Sequence, residues 1–434
     1  MKVVSIDVHD VRFPTSRSLD GSDAMHTSPD YSAAYVVLNT DGEISGHGLT
    51  FTNGRGTEVC VAAIRALEPL VVGRSLEGIT GDLRGFWRSL VSDPQLRWLG
   101  PEKGVMHLAV GAVVNAVWEL WAKSAGVPRW QLLTSLPPDD LVSAIDFRYI
   151  DDALTPEEAL DLLGAASAGR AERELRIVED GYPAYTTSPG WLGYDDDKVV
   201  ALTRQAVADG FGHVKMKVGQ DLRSDARRAA LIRDALGAGA ALMMDANQVW
   251  GVDEAISATR ALAEFEPWWM EEPTSPDDVL GHARIQREVA PIRIATGEHI
   301  ANRVVFKQLF QAGAIDVCQI DACRVAGVNE VLAIILLAAK FGVPVCPHAG
   351  GVGLCEYVQH LAVFDFVAVS GSLENRVVEW VDHLHEHFRD PAVVERGRYR
   401  VPRAPGYSIE MHESSLAEYA FPDGPAWSVA AVAG

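Results

Sequence analysis

Short β-rich stretches alternate with helical segments along most of the chain beyond residue 141. Strands that alternate with helices indicate parallel βαβ units, and eight such units predict a closed barrel. We therefore expect an α/β fold, a TIM-type (β/α) barrel, in residues 141–395. Its eight predicted strands are Leu141–Tyr149, His213–Val218, Ala241–Asp245, Trp268–Glu271, Ile292–Gly297, Ile315–Asp321, Val343–His348 and Val377–Val381.

The two ends of the chain have a different pattern from the middle. Strand-like alternation near Val3–Phe13 and Ala33–Asn39, and helical patterns over Glu58–Val72 and Gly104–Ala125, predict an α+β domain in residues 1–140. Residues 396–434 lack the barrel rhythm, so we expect them to return to that domain. Between the first two predicted barrel strands, Gly181–Tyr194 is rich in glycine, proline and aromatic residues, which is typical of an active-site loop.

Composition and charge narrow the range of partners. A chain of 434 residues can form two or three structural units, and 48% hydrophobic with 22% charged residues is typical of a globular protein. The formal net charge of −21 repels phosphate backbones and anionic bilayers, so we expect neither a nucleic-acid nor a membrane partner. A small anionic substrate is compatible with this charge if a metal ion or lysines make the binding site locally positive. We also expect a homo-oligomer.

The N-terminus and the cysteines indicate a cytoplasmic protein. Met1–Asp7 alternates like a strand and lacks the long apolar core of a signal peptide. The five cysteines form no CxxC pair and are odd in number. We therefore expect reduced, packed thiols and no zinc site.

Charged residues fall at the predicted strand ends in a regular order. Lys215 and Lys217 share one face of the second strand, because side chains along a strand alternate with a period of two. Successive members of the series are separated by about 30 residues or slightly fewer, the length of one βα unit. Each therefore falls on a successive strand, at the end where barrel enzymes carry their chemistry. The remaining members are Asp245, Glu271, Glu298, Asp321, His348 and Glu379.

Three of these carboxylates predict a metal site. Asp245, Glu271 and Glu298 lie on adjacent strands and can converge on one Mg²⁺ per subunit, because oxygen ligands suit a hard cation. Removal of a proton next to a substrate carboxylate leaves two negative oxygens, which such a cation stabilises.

Lysine and histidine side chains supply the proton transfers. Repulsion from Lys215 and from the cation should favour a neutral Lys217 at working pH, which is the form that acts as a base. His348, oriented by Asp321, can donate a proton to a leaving hydroxyl group.

This ordered set resembles the mandelate-racemase-like branch of the enolase superfamily. That branch carries a KxK motif on the second strand, three acidic metal ligands on the third to fifth strands, and an Asp–His dyad on the sixth and seventh. Further segments are similar to the L-fuconate dehydratases and their animal relatives, over nearly the whole chain. They are Asp10–Ser16, Asp30–Val37, Arg97–Gly104, Tyr185–Tyr194 and Pro347–Leu354.

The resemblance implies magnesium-dependent dehydration of a sugar acid, L-fuconate above all, to a 2-keto-3-deoxy acid. Lys217 would remove the C2 proton, His348 would assist loss of the C3 hydroxyl, and Glu379 would help to hold the enolic intermediate. The N-terminal domain would cap the barrel and close a loop over the distal part of the sugar. The substrate contacts implied are Gly21, Ser22, Asp23, Tyr31, Lys215, His348 and Glu379.

Other interpretations remain open at this point. Asp321 could cap the next helix, His348 could be a buried histidine bonded to backbone, and Glu379 could form a salt bridge at the barrel rim. The function could be dehydration of another aldonic acid such as D-arabinonate, or racemisation or epimerisation through the same proton transfer. A non-catalytic binding protein on an inherited barrel is the alternative from a different class.

Overall fold

The computed structural model describes residues 1–100, 102–237 and 239–428, and its N-terminal part is an antiparallel sheet backed by helices. Residues 429–434 of the predicted segment 396–434 lie outside the described part. The strands are β1 (Val3–Arg12), β2 (Ser32–Thr40) and β3 (Gly46–Thr52), followed by α1 (Thr57–Val71), α2 (Leu76–Thr80), α3 (Leu83–Val91), α4 (Gly104–Ser124) and α5 (Arg129–Ser135). The strand order is β1-β2-β3.

Further strands and helices follow. They are α6 (Pro138–Ser143), α7 (Pro156–Ala165), α8 (Arg170–Asp180), β4 (Tyr182–Thr186), α9 (Asp196–Ala208), β5 (His213–Lys217), α10 (Leu222–Leu236), β6 (Ala241–Asp245), α11 (Val252–Ala261), β7 (Pro267–Glu271), α12 (Val279–Val289), β8 (Arg293–Thr296), α13 (Arg303–Gln311), β9 (Val317–Cys318), α14 (Val328–Lys340), α15 (Leu354–Phe364), β10 (Val378–Trp380), β11 (Val394–Glu395), β12 (Arg398–Tyr399) and α16 (Glu413–Glu418).

The sheet closes into a barrel. Strands β4 to β9 pair in chain order, and β10 pairs with β4. An extended segment completes the ring, because Val345 forms a bridge with Cys318 and the Glu379 amide donates to the Pro347 carbonyl at 3.4 Å. The antiparallel pair of β11 and β12 extends the edge of β4. The prediction of a TIM-type barrel with an α+β capping domain is confirmed.

The first predicted strand, Leu141–Tyr149, is wrong. These residues begin inside α6 and continue in turns, and the first barrel strand is β4, which lies within the predicted loop Gly181–Tyr194. Periodicity alone cannot assign a short buried apolar run, and here Pro138 and two aspartates in the first turn start a helix. The strand at β4 was missed because Pro183 interrupts its pattern.

Helix α4 joins the cap to the barrel. By length and composition it could cross a membrane, but 83% of its most apolar window is buried inside the protein, as expected of a core helix that is apolar all round. A Cβ atom at Gly48 would lie 2.3 Å from the Ala112 carbonyl oxygen, so glycine is what lets β3 approach the helix backbone. On the barrel side, Trp118 Nε1 donates to Asn329 Oδ1 at 2.7 Å.

A buried ion-pair network strengthens the same junction. Glu330 of α14 lies 2.7 Å from His107 Nε2 of α4 and 3.2 Å from Arg303 NH1. Its carboxylate also accepts hydrogen bonds from the Arg303 and Ala326 amides at 2.9 and 2.8 Å. Burial opposes ionisation, but the charges of His107 and Arg303 lower the pKa of Glu330 to about 2.

Glu330→Gln is expected to lower the free energy of unfolding at pH 7 by about 3 kcal/mol, because it removes the buried carboxylate that pairs with both His107 and Arg303. The pKa of Glu330 is depressed in the folded state, so its contribution is present above the ordinary carboxylate range and is lost as the pH falls toward 2. Urea unfolding at pH 7 and pH 3 measures this difference, which should shrink at the lower pH. The exposed control Glu43→Gln should change the free energy of unfolding little at either pH. If the difference between wild type and Glu330→Gln is the same at pH 7 and pH 3, the assignment is contradicted.

Candidate active site and metal centre

The three predicted metal ligands meet at the carboxyl ends of neighbouring strands. Asp245 ends β6 and Glu271 ends β7, and the parallel register pairs these two residues. Glu298 lies two residues beyond the end of β8. One oxygen from each carboxylate lies within 4.8 Å of the other two, and all three side chains are buried. The even spacing in the sequence thus becomes a single cluster of acids.

The donor set fits a hard divalent cation. Glu298 Oε2 is buried and accepts no hydrogen bond within the described residues, although His348 Nε2 lies 3.2 Å away. Burial, followed by the charge of Asp245, raises the pKa of Glu271 well above its usual range. A cation among these oxygens satisfies the unpaired one and offsets the repulsion between the acids. The three carboxylates therefore form a magnesium site.

The two lysines of β5 point toward this cluster. Lys215 Nζ lies 2.7 Å from Glu271 Oε1 and 2.9 Å from Glu379 Oε1, and Lys217 Nζ donates to Asp245 Oδ2 at 2.6 Å. Burial favours a neutral amine, but the Asp245 carboxylate outweighs it and raises the pKa of Lys217. This pairing with a carboxylate favours the protonated form of Lys217, whereas the expectation of a neutral Lys217 includes the repulsion of the cation and stays a prediction.

Asp321 and His348 form the predicted pair. His348 Nδ1 lies 2.8 Å from Asp321 Oδ2, while Asp321 Oδ1 accepts hydrogen bonds from the Cys323 and Arg324 amides at 2.6 and 2.9 Å. Asp321 thus both orders the following turn and orients the imidazole. Burial opposes the charged ring, but Glu298 and Asp321 raise the pKa of His348 to about 9. These carboxylates favour the protonated imidazole, which is the state that a general acid requires.

Glu379 lies inside the barrel and not at its rim. Its Oε1 accepts a hydrogen bond from Thr187 Oγ1 at 2.5 Å, and its Oε2 accepts one from the Ala349 amide at 2.9 Å. Burial opposes ionisation, but Lys215 and His348 lower the pKa of Glu379 to about 2. The carboxylate is 1% exposed and remains an anion between the lysine and the histidine.

The cap loop covers the mouth of the barrel. Gly21 has φ +84°, and a Cβ atom there would lie 2.4 Å from the Tyr31 ring, so this close approach requires glycine. Gly21, Asp23 and Tyr31 line one cavity together with Lys217 and His348. Three of the four predicted cap-loop residues are therefore placed beside the reacting groups.

Ser22 and Asp23 also shape the loop itself. Ser22 Oγ donates to the Thr27 carbonyl at 3.0 Å, and the Ser22 carbonyl accepts from the Leu192 amide at 3.1 Å. Asp23 Oδ1 accepts from the Met25 and His26 amides at 2.7 and 2.6 Å. Ser22 fixes the loop to the barrel and does not line the cavity. Asp23 stabilises the turn of the loop and also lines the cavity.

A second contact ties the cap loop to the loop after β4. Tyr194 Oη donates to Asp20 Oδ1 at 2.5 Å. Tyr194→Phe is expected to raise KM for the substrate by about three- to tenfold and to leave kcat within about twofold, because the closed loop loses one charge-assisted hydrogen bond. Steady-state kinetics measure both constants, with Tyr419→Phe as the matched control. A fall in kcat at unchanged KM is the opposite result and rejects a role in loop closure.

Sequence reasoning missed a histidine–glutamate pair beside the metal site. His299 Nδ1 lies 2.9 Å from Glu272 Oε1 and 3.2 Å from Glu298 Oε1, so the pair orients a metal ligand. The sequence could have indicated this pair, because Glu272 directly follows the ligand Glu271 and His299 directly follows the ligand Glu298. The other residues that line this cavity do not belong to the ordered series of charged residues at the predicted strand ends. They are His26, Phe51, Asn53, Trp191, Asn247 and Arg324.

Comparisons with known proteins agree with this geometry. The description "mandelate racemase / muconate lactonizing enzyme, N-terminal domain" matches residues 8–134, and "enolase C-terminal domain-like" matches residues 198–415. Mitochondrial enolase superfamily member 1 of Homo sapiens is 57% identical over 430 residues, which are 98% of this chain and 97% of the relative. Its crystal structure has a TM-score of 0.97, with 98% of each chain covered.

Two further relatives bear on the chemistry. L-galactonate dehydratase of Hypocrea jecorina is 54% identical over 418 residues, which are 95% of this chain and 92% of the relative. A racemase from Streptomyces coelicolor A3(2), whose crystal structure contains bound magnesium, is 25% identical with a TM-score of 0.75. That likeness covers 96% of this chain and 99% of the racemase.

Proposed function

Because the chain belongs to the mandelate-racemase-like branch of the enolase superfamily, we propose that it is a magnesium-dependent sugar-acid dehydratase, with L-fuconate as its substrate. One observation carries the proposal. Lys217 and His348 line the same cavity as the metal ligand Glu298. A base and an acid that face one bound sugar acid can remove a proton and a hydroxyl group from neighbouring carbons.

Lys217 is the base in this proposal. Its Nζ takes the proton from C2 of the substrate, and the electron pair of the C2–H bond moves toward the carboxylate carbon. Mg²⁺ would be held by Asp245, Glu271 and Glu298 and would supply positive charge beside the substrate carboxylate. Burial and the charge of Lys215 favour the neutral amine that general-base catalysis needs.

In this proposal Lys215 stabilises negative charge on the substrate, and Glu379 positions Lys215. The Lys215 ammonium, 2.7 Å from Glu271 Oε1, would stabilise the negative charge that develops on the substrate carboxylate. Glu379, 2.9 Å from Lys215, keeps that lysine protonated and fixed in place. Thr187 in turn fixes Glu379 through its hydroxyl group.

His348 is the acid. Asp321 holds Nδ1, which directs Nε2 toward Glu298 and the cavity. Nε2–H donates its proton to the C3 hydroxyl as the C3–O bond breaks, and water leaves. The electron pair from C2 forms the C2–C3 double bond, and the resulting enol becomes a 2-keto-3-deoxy acid.

Side chains of the cavity wall support L-fuconate as the proposed substrate. L-fuconate is the 6-deoxy form of L-galactonate, the acid in the name of the Hypocrea jecorina relative, so the two differ only in a methyl against a hydroxymethyl group. Tyr31, Phe51 and Trp191 place aromatic rings around the cavity under the cap. The Phe51 ring suits a terminal methyl group better than a hydroxyl group, which it cannot hydrogen-bond.

Incubation of the purified protein with Mg²⁺ and a panel of L-fuconate, L-galactonate and D-arabinonate tests the proposal. We expect a 2-keto-3-deoxy product, formed with the highest kcat/KM from L-fuconate, and none with Lys217→Ala. A product from another acid alone overturns the substrate, and no product from any acid overturns the reaction class. Solvent deuterium at C2 without loss of water identifies a racemase or epimerase instead.

A further inference from the structure

The loop that follows β4 places a tryptophan ring beside the amine of Lys217. Trp191 is 2% exposed and lines the cavity together with Lys217. Lys217 Nζ lies 5.4 Å from the centroid of a Trp191 ring, within the distance at which an aromatic face attracts an ammonium group. The same amine donates a hydrogen bond to Asp245 Oδ2. Trp191 and Asp245 are therefore two separate contacts of one amine.

Of these two contacts, only Asp245 belongs to the metal site. Trp191 has no oxygen ligand for a hard cation, so its contact with Lys217 serves the lysine alone. A lysine side chain is long and flexible, and it loses rotational freedom when its amine is held in one position. The Trp191 ring is the contact that holds the amine in the cavity independently of the carboxylate.

The backbone before Trp191 packs directly on the strand that carries the base. The short helical turn Ser188–Gly190 precedes the tryptophan. The Gly190 backbone lies so close to β5 that a Cβ atom there would be 2.2 Å from the Lys215 carbonyl oxygen and 2.5 Å from Met216 Cα. This packing fixes the start of the Trp191 segment against β5.

A buried arginine joins the loop to the base. Arg228 of α10 is 4% exposed, and its NH2 donates to the Gly190 and Trp191 carbonyls at 2.8 and 3.0 Å. Its NH1 donates to the Lys217 carbonyl at 2.7 Å. A planar guanidinium group fixes the directions of its donors. Arg228 therefore fixes the backbone of Trp191 relative to the backbone of Lys217.

The far end of the same segment contacts the cap loop. The Leu192 amide donates to the Ser22 carbonyl at 3.1 Å, and Tyr194 Oη donates to Asp20 Oδ1 at 2.5 Å. Residues 190–194 are thus held by the barrel at one end and by the cap loop at the other. The Trp191 ring is supported on both sides of its position beside the amine.

We propose that Trp191, with its backbone held by Arg228, is the positioning residue of Lys217 and keeps the amine directed at C2 of the substrate. The inference rests on the proposed function, in which Lys217 is the base. Misplacement of a reacting group by about 1 Å can lower the rate by roughly 10²-fold. The ring also keeps water from the amine, because Lys217 lines a cavity and is only 4% exposed.

Substitution of the ring tests the positioning role. Trp191→Leu should lower kcat for C2 exchange and for dehydration by about 10- to 100-fold and leave KM within about threefold. Trp191→Phe keeps an aromatic face and should recover kcat to within about fivefold of the wild type. Arg228→Lys, whose donors lack the planar fork, should also lower kcat more than it raises KM. Trp98→Leu is the matched control, because Trp98 is 90% exposed, and should match the wild type.

Chemical labelling measures the same contact without any substrate. Reductive methylation of the folded protein, followed by mass spectrometry of its peptides, reports how fast each lysine amine reacts. Lys217 should react at least about threefold faster in Trp191→Leu than in the wild type, because the ring no longer holds and covers its amine. Lys340, on the outside of the barrel, is the internal reference and should react equally in both proteins.

Three kinetic results overturn the positioning role. They are an unchanged kcat in Trp191→Leu, a rise in KM at unchanged kcat, which makes the ring a platform for the sugar, and no recovery of kcat in Trp191→Phe. Circular dichroism checks folding, and Trp191→Met takes the place of Trp191→Leu if the latter is not folded. If the wild type acts on no acid, the proposed function fails and the labelling alone decides. Equal labelling of Lys217 in wild type and variant then overturns the contact.

Discussion

Lys217→Ala is expected to lower kcat for dehydration by about 10³-fold or more, because it removes the group that takes the C2 proton. The same variant should stop exchange of the C2 hydrogen with solvent deuterium, since that exchange needs no other step. Proton NMR in deuterium oxide follows the exchange, and product formation follows the dehydration. Loss of both C2 exchange and product formation is the result expected for a base that acts in the first step of the reaction.

Lys340→Ala is the matched control for this prediction. Lys340 pairs with Glu158 at 2.6 Å on the outside of the barrel, so its removal should leave exchange and dehydration unchanged. Magnesium affinity of Lys217→Ala reports whether the metal site is intact. If Lys217→Ala still exchanges the C2 hydrogen at the wild-type rate, another group is the base and the assignment is wrong.

His348→Asn is expected to separate the two halves of the reaction. Dehydration should fall by roughly 10²- to 10⁴-fold, because the C3 hydroxyl leaves without a proton donor. Exchange at C2 should continue, because Lys217 reaches the substrate from a different strand and keeps its own partners. The measurement compares deuterium at C2 with the amount of 2-keto-3-deoxy product in one reaction mixture.

The exposed residue His412 supplies the control for this second prediction. His412→Asn should change neither exchange nor dehydration. If His348→Asn loses exchange and dehydration to the same extent, then His348 acts in proton removal as well, and the division of roles between the two residues does not hold.

Most of the barrel was predictable because its strands repeat at the length of one βα unit. From β5 onward, a hydrophobic strand and a polar residue at its end occur together in every repeat. The first strand of the barrel was predicted wrongly, because Leu141–Tyr149 is as apolar as a buried strand and yet begins in a helix. The true first strand contains Pro183, which the pattern of a strand does not predict.

The positions of the site residues were predictable, but their pairing was not. Parallel register alone brings Asp245 next to Glu271, so the metal ligands follow from their order in the sequence. Which carboxylate faces which lysine depends on side-chain geometry, and the sequence did not predict that Lys217 pairs with Asp245, a contact that raises the pKa of the lysine. The same limit applies to Thr187, whose hydroxyl group reaches Glu379 across β4 and β10.

Calorimetric titration of Mg²⁺ into the protein is the most direct test of the central claim, that three carboxylates from adjacent strands hold one cation. The account predicts one ion per chain for the wild type. It also predicts at least about tenfold weaker binding for each of Asp245→Asn, Glu271→Gln and Glu298→Gln, because each removes one charged ligand. Wild-type affinity in any of these folded variants would contradict it.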